Sequence, residues 1–148
     1  MTATSARLAA LLVSLASAAL ARAEERPALQ LQCDRELVAR QGAETAARLS
    51  AGRARAVRTL RKVRSAAVDF SSMGDRTGSG VWVGEALIGV DGRVERVWTH
   101  RSPAFEPAWP EFDDLVAAAV TKWVYEPVLV DGTPTPVCIV VTTTFHWR

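Results

Sequence analysis

From Pro136 to Trp147 the chain reads Pro-Val-Cys-Ile-Val-Val-Thr-Thr-Thr-Phe-His-Trp, a run with no glycine and no internal proline. So many β-branched and aromatic residues in succession stiffen the side chains in a way that suits a pleated strand and little else. The run therefore commits the chain to a sheet. Val137, Ile139, Val141, Thr143, Phe145 and Trp147 share one side of such a strand, and Cys138, Val140, Thr142, Thr144 and His146 share the other. Just before it, Asp131-Gly132 supplies a turn that tolerates positive φ.

Upstream, Glu111 to Trp123 changes period. Phe112, Leu115, Val116, Ala119, Val120 and Trp123 recur at the spacing that lines one side of a helix. Glu111, Asp113 and Asp114 in the first turn and Lys122 in the last suit the helix dipole at both ends. Pro103, Pro107 and Pro110 mark an irregular crossing ahead of this helix. Before the prolines, Val81–Val90 and Arg93–Arg101 flank Asp91-Gly92 as a β-hairpin. Trp82, Ala86, Ile88 and Val90 are expected on one face of the hairpin, and Val81, Val83 and Leu87 on the other. The expected fold class is thus α+β: a small antiparallel sheet in β-β-α-β order with one helix packed on one face, preceded by an amino-terminal helical region.

In that amino-terminal region, Asp34–Leu49 and Arg53–Arg64 are rich in helix formers, with Gly52 as the expected break between them. In the second segment Ala56, Val57, Leu60 and Val63 form a narrow apolar stripe surrounded by Arg53, Arg55, Arg58, Arg61, Lys62 and Arg64. A solvated basic face and a docking face for anionic lipid or an acidic partner are the two readings of that pattern. Ser71 to Gly80, rich in Gly and Ser, reads as a flexible connection. The expected organisation is residues 1–23 as an export signal, 24–70 as the basic helical region, 71–79 as the linker and 80–148 as the sheet domain.

The signal is read from Arg7, the apolar run Leu8 to Leu20 and the small residues around Ala21-Arg22-Ala23; an uncleaved anchor is the open alternative. Gln32, which is not small, argues against a lipid-modified Cys33. Export would place Cys33 and Cys138, the only two cysteines, in an oxidising compartment, the periplasm. A disulfide between them is the leading reading, with two free thiols or an intermolecular bridge as alternatives. Such a bond would pin the amino-terminal helix over Val81, Val83, Leu87 and Val140.

The net charge of +2 conceals an asymmetry: residues 24–64 hold ten Lys/Arg against five Asp/Glu, and residues 65–148 hold six against eleven. The two segments are expected to attract each other. Nucleic acid is not an expected partner, because the basic segment has no interleaved aromatics on which bases could stack.

The residues from Gly80 to Trp147 resemble the carboxy-terminal domain of the TonB family of energy transducers. The resemblance rests on an ordered set: Gly80, alternating apolar residues up to Asp91-Gly92-Arg93-Val94, Val97, Ser102, and a helix ending Ala119-Val120-Thr121-Lys122-Trp123. Tyr125, Pro127, Asp131-Gly132, Pro134, Val137 and Phe145 then follow in the family's order. The resemblance covers a little under half of the chain, and its specificity lies in the order and spacing together. It implies recognition by β-strand addition: the final strand takes up an extended segment of an outer-membrane transporter or another envelope protein. Cys138, Ile139, Val140, Val141, Thr142, Thr143, Thr144 and Phe145 are the segment expected to form that edge. A basic helical region and a Gly/Ser linker stand where the family carries a Pro-rich spacer, so transmission of force is left out of the expectation. The alternative is a self-associating structural protein of the envelope, a homodimer whose closing strands pair with each other.

Catalytic chemistry has little to stand on. His100 and His146 are the only imidazoles, and they would approach only if the second and third strands of the sheet were neighbours. Ser102 lies near His100 without an elbow motif. Asp113 and Asp114, adjacent on a helix, diverge rather than converge. No phosphate loop, cofactor fingerprint or Cys-x-x-Cys is present. The expectation is a protein that is not an enzyme, takes no cofactor or metal, and binds another protein, with no small-molecule substrate identified. Trp82 and Trp123 are expected in the core; Trp98, Trp109 and Trp147 would mark a partner surface if they clustered in the open.

Overall fold

The computed structural model describes residues 31–148. The export signal read at 1–23 and the residues just after it lie outside the described part. No helix among the described residues is long and apolar enough to cross a membrane.

The chain begins with α1 (Leu31–Gln41) and α2 (Ala43–Val57). The break between them falls at Gly42, with φ of 82°, and not at Gly52 as the sequence suggested. Gly52 sits inside α2 for a different reason. A Cβ built there would lie 2.4 Å from Val130 Cγ1, so the absent side chain is what lets α2 approach that residue. The helix also stops earlier than Arg64. After Val57 the amides of Arg58, Thr59 and Leu60 bond back three residues, tightening the last turn. The chain then extends into β1 (Lys62–Arg64), which pairs antiparallel with β5 (Val124–Tyr125).

The central strand is β2 (Thr77–Ile88), so Thr77 to Gly80, read above as flexible connection, are strand. β3 (Val94–Arg101) pairs with its second half and β4 (Ala104–Glu106) with its first three residues. β8 (Val137–Trp147) pairs with β2 from Gly78↔Trp147 to Ile88↔Val137. Because β8 accompanies β2 almost throughout, β3 and β4 must share the opposite margin. The hairpin turn closes through Gly89 N–H to Arg93 C=O at 2.8 Å and an Asp91 carboxylate that accepts the Arg93 amide at 3.0 Å. It is longer than the two-residue turn read from Asp91-Gly92, so Val90 lies in the turn and is exposed rather than facing the core.

α3 (Phe112–Thr121) covers one face of this sheet, as its periodicity predicts. Phe112, Val116 and Val120 meet Trp82, Ala86 and Ile88 of β2 and Val137, Ile139, Val141 and Phe145 of β8 in one apolar cluster. A short hairpin, β6 (Leu129–Val130) and β7 (Thr133–Pro134), turns at Asp131 and Gly132, whose φ values of 51° and 79° define a type I′ turn. The fold is α+β, but it is more elaborate than a β-β-α-β unit under a single helix: three helices and several short strands surround the main sheet.

The second face is covered by α1, held there by the Cys33–Cys138 disulfide with Cα atoms 5.8 Å apart. Cys33 and Leu37 pack on Leu87, with Trp98 and Cys138 alongside. The cover is shorter than expected: Val81 and Val83 are only half-buried and Val140 is 38% exposed. The charge asymmetry is partly realised, through Arg40 with Glu95 and Arg61 with Glu126.

Candidate partner-binding edge

All eight residues singled out from the sequence, Cys138 to Phe145, lie in β8, which His146 and Trp147 extend. Among the described residues β8 pairs with β2 alone. Its other margin faces no strand among the described residues.

Which main-chain groups that margin offers follows from parity. The Gly89 N–H points to Arg93, on the β3 side of β2, so Leu87, Glu85, Val83 and Val81 turn the same way. The register shifts in the β2–β3 pairing place the extra residues, Glu95 and His100, in β3, which leaves β2 regular. Ile88, Ala86, Gly84, Trp82 and Gly80 therefore face β8 and bond to their partners Val137, Ile139, Val141, Thr143 and Phe145. The even-numbered residues, Cys138, Val140, Thr142, Thr144 and His146, direct their N–H and C=O groups away from the sheet. Arg53 gives an independent check: its Nε donates to the Pro136 carbonyl from α2 at 3.0 Å, so the even-numbered carbonyl just before β8 also points outward.

The same contact closes the margin at one end. Arg53 is 8% exposed and also donates to the Ala46 carbonyl at 3.4 Å and to the Gln41 side chain. Burial lowers its pKa, and Asp34 opposes that shift. With α2 seated against Pro136, and with Cys138 bonded to Cys33, the open stretch runs from Val140 to His146.

Side chains divide in the same way. Ile139, Val141 and Phe145 are buried and anchor the strand, so they can serve a visitor only through their position. Val140, Thr142, Thr144 and His146 are exposed. An added strand would therefore meet a row of Thr hydroxyls and one valine, with free donors and acceptors at alternate residues.

The chain matches no family model and no curated protein.

The remaining candidates are dispersed. His100 lies on β3 and His146 on β8, with β2 between them, so the two imidazoles are not neighbours. The Ser102 hydroxyl donates to the Asp113 carboxylate, not to a histidine. Trp109 is buried, and Trp147 stacks on Phe145 at 5.1 Å within a cluster that includes Phe70, Phe105 and Phe112. These aromatics are internal packing rather than an open patch. Trp123 is half-buried, its indole N–H given to the Ala66 carbonyl at 3.1 Å.

Sequence reasoning missed Glu85. Fully buried, its Oε2 accepts the Cys33 amide at 2.9 Å and lies 3.3 Å from His100 Nε2. It thus satisfies an amide in the first turn of α1 that has no partner within the helix. The signal available was its place on the Val81–Val83–Leu87 side of the strand, where a carboxylate needs a partner.

Proposed function

We propose that this protein is a binding module of the periplasm that captures an extended segment of another envelope protein by adding it to the outer margin of β8. The observation that carries this reading is the margin from Val140 to His146, which pairs with no strand among the described residues, is free of glycine and proline, and is backed by the buried Val141 and Phe145. Main-chain hydrogen bonds would supply affinity, and the exposed Val140, Thr142, Thr144 and His146 would supply selectivity. The resemblance of Gly80–Trp147 to the TonB carboxy-terminal domain supports the same mechanism and points to an outer-membrane transporter as the class of partner. The residues that carry the resemblance fall in β2, β3, α3 and β8 and in the segments between them.

The test uses parity. Thr142→Pro deletes an outward N–H and leaves the ladder to β2 intact, an arrangement edge strands tolerate. A partner retained from envelope extract by the wild-type protein is expected to be lost with Thr142→Pro. In the complex the amides of Val140, Thr142 and Thr144 should gain protection from hydrogen exchange, while those of Ile139 and Val141 are already protected. A partner held equally well by Thr142→Pro would overturn the reading. So would a dimer that survives dilution and protects the same amides, because the margin would then belong to a second copy.

A further inference from the structure

Away from β8, a groove of about 690 Å³ runs between α2 and the β6–β7 hairpin, with Arg48, Arg55 and Arg61 on one wall and Leu129 and Asp131 on the other. Arg61 is paired with Glu126, which also lines the groove. The guanidinium groups of Arg48, Arg55, Arg58 and Arg64 make no ion pair among the described residues. Seven residues apart, Arg48 and Arg55 lie on the same face of α2 about 10 Å from each other, and Arg58 follows less than one turn on.

Two apolar side chains stand out of this array. Val63, at 63% exposure, and Leu129, at 56%, are the most open large apolar residues of the described chain. Leu129 lines the groove itself, and Val63 follows two residues after Arg61, which also lines it. Unpaired Arg48 and Arg55 thus share the groove with the protruding Leu129, and Val63 is close to it along the chain.

We propose that this surface docks on an anionic lipid bilayer, the arginines against the headgroups and Val63 and Leu129 entering the boundary layer. A single carboxylate or phosphate would call for guanidinium groups converging on one point. Here Arg48, Arg55 and Arg58 are spread over about 15 Å along α2 and its end, which matches a surface of distributed negative charge. The protruding apolar tips suit a layer that yields to them. Glu126 is neutralised by Arg61, which leaves Asp131 as the opposing charge inside the groove.

The experiment is sedimentation of the full chain with vesicles of phosphatidylcholine alone and of phosphatidylcholine and phosphatidylglycerol in equal parts. The readout is the binding that phosphatidylglycerol adds, which cancels any contribution the apolar run at Leu8–Leu20 makes to both. The combined change Arg48→Glu, Arg55→Glu and Arg58→Glu removes no ion pair and is expected to lower that increment about tenfold or more. Raising salt to about 0.5 M should do the same for the wild type. Val63→Ser with Leu129→Ser is expected to weaken binding with the salt dependence unchanged. Equal binding to both vesicles, or an increment that survives the triple change, would overturn the proposal. So would a wild-type chain that ignores both vesicles but binds a poly-glutamate peptide, which would assign the surface to an acidic protein.

Discussion

Gly52 and Cys138 show how single residues here answer to distant neighbours. Gly52→Ala places a methyl group against Val130, and we expect a loss of about 1 to 3 kcal/mol in urea unfolding, the usual range for overpacking. Read along the sequence, Gly52 is only a break in a helical run; its actual role depends on a hairpin that no local pattern connects to it. The disulfide was legible, because two cysteines and the expectation of export leave few arrangements. Replacing both Cys33 and Cys138 by serine opens a crosslink spanning 105 residues and should reduce stability by about 4 to 5 kcal/mol on the chain-entropy model. Glu85→Ala is expected to lose about 1 to 3 kcal/mol, since it strands the buried Cys33 amide. A Glu85→Ala protein as stable as the wild type would show that water takes over that amide.

Among the elements, α3 and β8 announced themselves through period, and their apolar sides pack as the alternation requires. β1 did not, because Lys-Val-Arg is three exposed residues whose only strand character is the pairing with β5. The sidedness of the β8 main chain was equally hidden, since periodicity reveals which face a side chain takes and not which margin an amide takes. That hidden property yields a sharp contrast. Thr142→Pro should leave the melting temperature within a few degrees of wild type. Thr143→Pro removes a bond to β2 from the middle of the sheet and is expected to cost about 3 kcal/mol or more, or to prevent folding. Thermal unfolding followed by circular dichroism separates the two, and equal losses would show that the assigned parity is wrong.

Taken as one body, the molecule covers its sheet from both faces, and among the described residues β8, like β3, pairs on one margin only. α3 covers the first face, while α1, bonded through Cys33 and capped by Glu85, covers part of the second. Reducing agent should therefore release α1 before it unfolds the sheet: hydrogen exchange is expected to rise first in Leu31–Gln41 and only later in β2. Simultaneous loss of both would show that α1 and the sheet unfold as one unit.

The alternation along β8 carries a consequence for how such a chain can change over generations. From Ile139 onward the rule is simple: odd positions, Ile139, Val141, Thr143 and Phe145, are held by the interior and by β2, whereas Val140, Thr142, Thr144 and His146 answer to neither. A new taste for ligands can therefore be acquired one even position at a time, with the architecture indifferent to each trial.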